Sequence, residues 1–443
     1  PPGAVLKATQ RAKVLSWINQ RGVPLLDTQG TTVDEVLKRE DMPQDAYRVL
    51  TILRAVNRTS TAKYVSMRDR VSWDSRVRGS LIYHGASTGR WTGSGIQPHN
   101  LPRGSIVDMD EAWDDVLEAD EGGDLRWLEF LHGDPMEHLS HCTRGAIASA
   151  PGKVLYVADY SAVESRVLFW LADQQNALDI FRRHDDIYCY LASQIYRKDI
   201  NAENKNDYKV ERQLGKQAIL GLGYGMGADK FVATCAKYGI VITKDFAVEV
   251  VAIYRETYGR VKQMWYDQEA AAIQAVRSPG MTFTCGRIQW RVFRAGPDGR
   301  GLPFLHCKLP SGRTLAYCDP KIIDKETPWG AMKPALTFMG VNPLTRQWTR
   351  QHTYGGSIVE NIVQATARDL LAEAMLRAEA TGVYWIVLHV HDELVAEVDE
   401  DKGDVHEFER LMSVNPEWAE GCPVDAESPK VHGKPAPLRR YKK

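Results

Sequence analysis

Residues 153–173, KVLYVADYSAVESRVLFWLAD, constrain this chain more than any other stretch. They open with an apolar run, 154–158, of the kind that forms a buried strand. Asp159 follows directly. Ser161 and Glu164 then have the spacing of a capping box, and Val163, Val167, Leu168 and Leu171 share one helical face. The chain therefore passes from a buried strand to an amphipathic helix with Asp159 at the joint, held by rigid scaffold and exposed at a sheet's end. A metal ligand is well placed there. An ordinary turn aspartate sits there equally well, because strand–Asp–helix junctions are common where helices pack on sheets.

Two further stretches carry chemistry. In residues 211–227, ERQLGKQAILGLGYGMG, the side chains of Arg212, Lys216, Leu220 and Tyr224 recur every fourth position and form one slowly drifting stripe on a helix. Two cations, then an apolar side chain, then a ring is the order of demands made by a triphosphate joined to a base. Cations on adjacent turns stand ~6 Å apart, the span of neighbouring phosphates. A solvated helix face has the same appearance. The glycines let a partner approach the helix end or let the helix bend. Residues 385–398, WIVLHVHDELVAEV, read as two strand-forming runs, 385–390 and 394–398, flanking His391-Asp392-Glu393. That is a tight hairpin with two carboxylates at its tip, whose mutual repulsion a divalent cation would relieve; a plain polar turn looks alike. Residues 83–103, YHGASTGRWTGSGIQPHNLPR, hold four glycines with Pro98 and Pro102, so they form a loop with close backbone approach. Arg90, Gln97 and Asn100 in it can reach base edges or sugars.

The remainder reads as mostly helical. Val5, Val14, Leu15 and Ile18 form one stripe and Val33, Val36 and Leu37 another, with 47–56 continuing the pattern. Residues 108–137 look like an acidic, mostly helical insertion, 177–196 like one helix, 198–209 like a polar, mobile connection and 233–276 like further helices. Residues 279–342 are rich in Gly and Pro, with short strand signals at 281–284 and 313–317. Residues 360–380 form an amphipathic helix with Gln364 and Arg368 on a polar flank. Net charge is −1, but residues 48–90 carry nine Lys/Arg against Asp69 and Asp74, and 108–137 carry twelve acids against Arg126. Such a division suits a protein that grips nucleic acid in one place and repels it in another, or two solvated faces. Length and a hydrophobic content of 44% indicate a soluble globular protein of about two to four domains or subdomains. No run reaches the ~18 apolar residues of a membrane span. There is no signal peptide, and the Pro1-Pro2 start reads as a fragment or processed form with more protein upstream. Seven scattered cysteines without C-x-x-C spacing point to a reducing, cytoplasmic compartment.

Carboxylates at a strand end and a hairpin tip, with cations on a helix, are the parts phosphoryl transfer needs. DYSAVESR (159–166), RQLGKQAILGLGYG (212–225) and HDE (391–393) resemble motifs A, B and C of family A DNA polymerases, the DNA polymerase I type. TGRW (88–91) followed by QPHNLP (97–102) resembles that family's primer–template motif. Order and spacing agree over roughly residues 45–430.

The resemblance implies an α+β right-hand fold with an antiparallel-sheet palm, helical fingers and a helical thumb. The thumb and its connection would take 1–80, the first part of the palm 81–175, the fingers 176–280 and the rest of the palm 281–443. It implies that Asp159 and Asp392 hold two Mg²⁺ ions, replaceable by Mn²⁺, with the Tyr160 carbonyl as a further ligand and Glu393 as nearby support. Arg212 and Lys216 would bind the incoming dNTP, Lys216 protonating the pyrophosphate. Tyr224 would stack near the template base, and His391 would contact the primer terminus. Arg90, Gln364 and Asn100 would read minor-groove acceptors of the primer–template DNA, which every correct pair presents alike. Glu164 would exclude a ribose 2′-OH as well as cap its helix.

Leu220 stands where the family has Phe or Tyr, Tyr188 where many members have His, and Ser165 and the 108–137 insertion are atypical. The leucine is similar to phage-type enzymes, which implies a viral or prophage origin and the cytoplasm of a bacterium or infected host cell. The family places a 3′–5′ exonuclease domain upstream, leaving room for one before Pro1 and for replisome partners. Single-subunit RNA polymerases share the hand and the metal ligands; Glu164 argues against them, and the retained Asp159, Asp392, Arg212 and Lys216 argue against an inactive primer–template clamp.

Overall fold

The computed structural model describes residues 10–39, 41–56, 61–102, 104, 106, 108–294, 301–326, 330–342, 345–431 and 433–442. They divide into two compact units, one formed by 10–81, 93–151 and 438–442, the other by 82–92 and 152–437. Val5 of the first apolar stripe lies outside the described residues.

The first unit is helical. Helices α1 (Arg11–Gln20), α2 (Gly30–Leu37) and α3 (Gln44–Val56) bury Val14, Ile18, Val33, Leu50 and Leu53 with Val23 and Leu25 of the connection. Those are largely the stripes expected from the spacing. After α4 (Ala62–Arg68) come α5 (Met109–Gly122), α6 (Arg126–His132) and α7 (Pro135–Cys142), the acidic segment. Asp108 and Asp134 accept from backbone N–H groups at the starts of α5 and α7, so two of the acids act as caps.

The second unit is built on β1 (Lys153–Tyr160). Seven helices follow: α8 (Val163–Leu171), α9 (Gln175–Arg182), α10 (Ile187–Tyr196), α11 (Lys209–Leu222), α12 (Ala228–Lys237), α13 (Lys244–Thr257) and α14 (Gly259–Arg277). The stretch 177–196 is two helices rather than one. The break falls at residues 183–186, where the Asp186 side chain accepts from the N–H groups of Tyr188 and Cys189 and starts α10 anew. Nor is 198–209 a loose connection. Ile200 is buried, its N–H donates to Ser193 Oγ at 3.0 Å, and Asn201 and Asn204 hold each other's backbones.

The Gly/Pro-rich region holds a six-stranded antiparallel sheet whose strands are neighbours in sequence order: β2 (Thr282–Cys285), β3 (Ile288–Arg294), β4 (Pro303–Lys308), β5 (Thr314–Glu326), β6 (Met332–Val341) and β7 (Trp348–His352). The sequence reading found only two of these strands. Turn residues break the period, but Ile288, Trp290 and Val292 are buried while Gln289, Arg291 and Phe293 face out, which is the alternation of a half-buried strand.

Helix α15 (Gly355–Ala380), strands β8 (Trp385–Val390) and β9 (Glu393–Asp399), helix α16 (Val405–Ser413) and the short β10 (Ala426–Glu427) complete the unit. The functional sheet is four-stranded and antiparallel, in the order β8-β9-β1-β10. Alternate residues Tyr156, Ala158 and Tyr160 of β1 enter the same core as Ile358, Ile362 and Leu370 of α15. The polar flank of α15 is not a solvated face, because Arg368 and its neighbour Asp369 are buried as an ion pair.

No described helix is long and apolar enough to cross a membrane. All seven cysteines are free thiols. Ile362 is fully buried and Leu376 of the same helix is 67% exposed. Ile362→Ala should therefore destabilise the protein by about 2–5 kcal/mol and Leu376→Ala by less than about 0.5 kcal/mol, read as thermal and urea midpoints.

Candidate active site

Backbone pairing brings the two expected aspartates together. Asp159 is the penultimate residue of β1 and lies in register with Glu393 of β9 on one side and Glu427 of β10 on the other. The next residue, Tyr160, donates its N–H to the main-chain oxygen of Asp392 at 2.9 Å. The turn is tight, since Asp392 N–H donates back to Val390 O at 2.6 Å and His391 has φ +53°. Glu393 is not at the tip as the sequence suggested. It begins β9 and is fully buried, leaving His391 and Asp392 to form the turn. Directly paired residues of an antiparallel ladder project to one face. Asp159, Glu393 and Glu427 therefore share a face. Glu427 escaped the sequence reading because a two-residue strand carries no period.

The Tyr160 ring points the other way, into the core, where its hydroxyl donates to Met412 O at 2.9 Å. Two carboxylates and a main-chain carbonyl are hard oxygen donors, the chemistry of Mg²⁺ or Mn²⁺ rather than of a thiophilic ion. Among the described residues no group of three or more His, Cys, Asp or Glu is assembled as a metal cage. The donors present suit a cation that takes its other ligands from water or substrate.

The cations lie on α11. Arg212 Nε donates to Asp186 Oδ2 at 2.8 Å, and its guanidinium carbon lies 5.4 Å from the centre of the Tyr188 ring. Lys216 Nζ lies 5.9 Å from the same ring. Burial raises the Tyr188 phenol above its ordinary range, and the charges of Asp186 and Asp392 push in the same direction. Tyr188 thus sits within the field of both the cation helix and the carboxylate turn. Leu220 is on the same helix and 39% exposed. Tyr224 is not on that stripe. The helix ends at Leu222 with Gly223 as its cap, Tyr224 lies in the turn that follows, and the chain turns away at Gly225, φ +80°. A Cβ on Gly223 would come within 2.7 Å of the Leu168 side chain and 3.2 Å of the Tyr254 hydroxyl, so glycine here lets the end of α11 pack closely on α8 and α13.

Glu164 is freed from the cap that its spacing suggested. Helix α8 starts after Ala162, which has φ +49°, and no side chain caps it; Ser161 N–H instead donates to Asp425 O at 2.9 Å. The Glu164 carboxylate takes a charged hydrogen bond from Arg90 Nη2 and faces the Tyr224 hydroxyl at 3.5 Å. Glu360 adjoins this group and accepts from Gln364 Nε2 at 3.2 Å. Asn100 belongs to the first unit, where its amide donates to Gln97 Oε1 at 3.1 Å. Sequence reasoning also missed the group beneath the Gly-rich loop. Arg313 and Arg368 both bind Asp369, Arg313 also donates to Thr88 O and Arg368 to Gly89 O, and the Trp91 ring meets both Arg368 and His389. Distant segments supply these side chains, and no local pattern joins them.

Burial raises the Glu360 carboxyl above its ordinary value of 4.5, and the Glu164 charge adds to the effect. A carboxyl raised by folding favours the native state below its unfolded pKa, and that contribution is lost as pH rises through the folded value. Glu360→Gln should therefore raise the melting temperature relative to wild type more at pH 8 than at pH 4.

The model of DNA polymerase family A matches residues 20–287. The DNA polymerase of Bacillus phage SP02 is 35% identical over 424 residues, which cover 94% of this chain and 61% of the phage protein. The thermostable DNA polymerase I of Thermus thermophilus is 25% identical over 63% of this chain and 26% of its own length. The polymerase domain of Pol1 from M. smegmatis, in complex with DNA primer-template and dNTP, has the same fold at a TM-score of 0.55 and 16% identity, covering 99% of this chain and 62% of that one. The chain spans about three-fifths or less of the length of these relatives. The chain belongs to DNA polymerase family A.

Proposed function

We propose that this chain is a template-directed DNA polymerase that adds dNTPs to a primer 3′-OH and releases pyrophosphate, in replication of a virus or prophage. The observation that carries the reading is the hydrogen bond from Tyr160 N–H to Asp392 O, which sets motifs 232 residues apart side by side within the field that also reaches Tyr188, Arg212 and Lys216. Mg²⁺ ions, or Mn²⁺, bound by Asp159, Asp392 and the Tyr160 carbonyl would stabilise charge on the attacking and leaving oxygens.

The chain's own residues do the rest. Arg212 and Lys216 neutralise the triphosphate, and Lys216 gives a proton to the departing pyrophosphate. Arg212 must first release Asp186. Tyr188 fixes the height of both cations, and Leu220 packs near the sugar. Glu164, held by Arg90 and Tyr224, fills the space of a ribose 2′-OH. Tyr224 carries the template base on its ring, and Arg90, Gln364 and Asn100 check minor-groove geometry. His391 contacts the primer end and Glu393 supports the carboxylate turn. In this reading 1–80 form the thumb side, 81–175 and 281–443 the palm and 176–280 the fingers.

A primed DNA template with Mg²⁺ should be extended by dNTPs and not by NTPs. Asp392→Ala should lose roughly 10³-fold in rate, as befits several kcal/mol of lost charge stabilisation. Absence of dNTP incorporation, or an Asp392→Ala variant as active as wild type, refutes the reading; extension by NTPs alone makes the chain an RNA polymerase. Glu164→Ala should admit ribonucleotides in the same assay, and unchanged sugar discrimination removes the gate from the mechanism. Asp186→Asn keeps the α10 cap but weakens the hold on Arg212. It should lower KM for dNTPs roughly two- to fivefold at constant kcat, the scale of a partly exposed ion pair.

A further inference from the structure

Arg313 lies in the turn between β4 and β5, far in sequence from every motif above, yet it bonds to two separate segments of the second unit, helix α15 and the 82–92 loop. Its Nε donates to Asp369 Oδ1 at 2.7 Å, and its Nη2 donates to Thr88 O at 3.0 Å and to Ala365 O at 2.9 Å. Ser311 Oγ, from the same turn, donates to the other oxygen of Asp369 at 2.5 Å. Arg368 completes the group. Its Nη1 lies 3.2 Å from Asp369, its Nε donates to Gly89 O at 3.0 Å and its guanidinium covers the Trp91 ring at 4.1 Å. Asp369 and Arg368 are 4% and 7% exposed, so these bonds form out of water, where they hold geometry tightly.

The segment they grip is Thr88–Gly89, immediately before Arg90. The fit leaves no slack, because a Cβ on Gly89 would lie 2.3 Å from Arg313 Nη1 and the residue has φ +83°. Arg90 in turn holds Glu164. Trp91, on the far side of Arg90, meets the His389 ring edge-on at 4.6 Å, two residues before the turn that carries Asp392. A fork of donors is needed to bind a carboxylate and two carbonyls together, and lysine cannot supply it.

We infer that Arg313, through Asp369 and Arg368, is a positioning residue that fixes the Thr88–Trp91 backbone so that Arg90 orients Glu164, and that it thereby sets sugar discrimination without touching the nucleotide. The inference rests on the reading of Glu164 as the sugar gate.

The test uses the full chain with Arg313→Lys, Asp369→Asn, Glu164→Ala and the Arg313→Lys/Glu164→Ala double variant. Hydrogen exchange of peptides covering 82–92 is measured beside the ratio of kcat/KM for dATP and ATP on a primed template. Arg313→Lys should exchange faster at 82–92 and lose about tenfold or more in that ratio while kcat for dATP falls less. The double variant should show the ratio of Glu164→Ala alone. Asp369→Asn should behave like Arg313→Lys and stands in for it if the lysine variant does not fold.

Unchanged exchange at 82–92 overturns the inference. So does a ratio preserved in Arg313→Lys when Glu164→Ala has lost it, or a double variant with the summed loss. If Glu164→Ala itself keeps full discrimination, the gate reading has failed. In that case faster exchange with a lower kcat/KM for dATP still supports Arg313 as a positioning residue.

Discussion

Everything at the site depends on one main-chain hydrogen bond, Tyr160 N–H to Asp392 O. It extends the β1–β9 ladder by one step past Glu393, into a turn that the bond from Asp392 N–H to Val390 O also tightens. Side chains alone could not hold two like-charged carboxylates beside each other, since their repulsion favours separation. The backbone has no such preference. By placing the aspartates through the ladder and the left-handed His391, the fold sets their backbones side by side independently of their charges.

A second regularity concerns the cations. Arg212 is tied to Asp186, Arg90 to Glu164 and Arg313 to Asp369. The pairs differ in burial and therefore in meaning. The side chains of Arg313 and Asp369 are 19% and 6% exposed, so removing one partner would strand a buried charge, and the pair acts as structure. Arg212 is 31% exposed and can turn toward a ligand. The carboxylate partner marks the difference between Arg90 and Arg313, whose own side chains are equally exposed: Glu164 is 29% exposed and Asp369 is 6%.

Much of this was legible from residues alone. Strand β1, the helix after it, helix α11 and the 385–399 hairpin follow from period and composition, because each buries one regular face. The capping box that the Ser161–Glu164 spacing predicts does not form. Ala162 takes a left-handed conformation that spacing cannot reveal, and this turns Glu164 from the helix end toward Arg90 and Tyr224. A four-residue repeat that continues past Leu222 places Tyr224 on the helix, whereas the helix ends at Leu222 and the chain turns away at the left-handed Gly225. The six-stranded sheet stayed hidden behind its turn residues. Glu427 and the Arg313–Asp369 pair are products of tertiary pairing, for which a single sequence holds no local signal.

The Arg212–Asp186 pair has a consequence for how substrate enters. If Arg212 binds phosphate as proposed, its charge is already matched by Asp186, so nucleotide arrival would be a ligand substitution at that guanidinium and not a simple addition. A weakly charged or badly placed anion would compete poorly with a carboxylate anchored at the start of α10. On that proposal the start of α10, which supplies Asp186, would set a threshold at Arg212 that a stray anion in solution has to overcome.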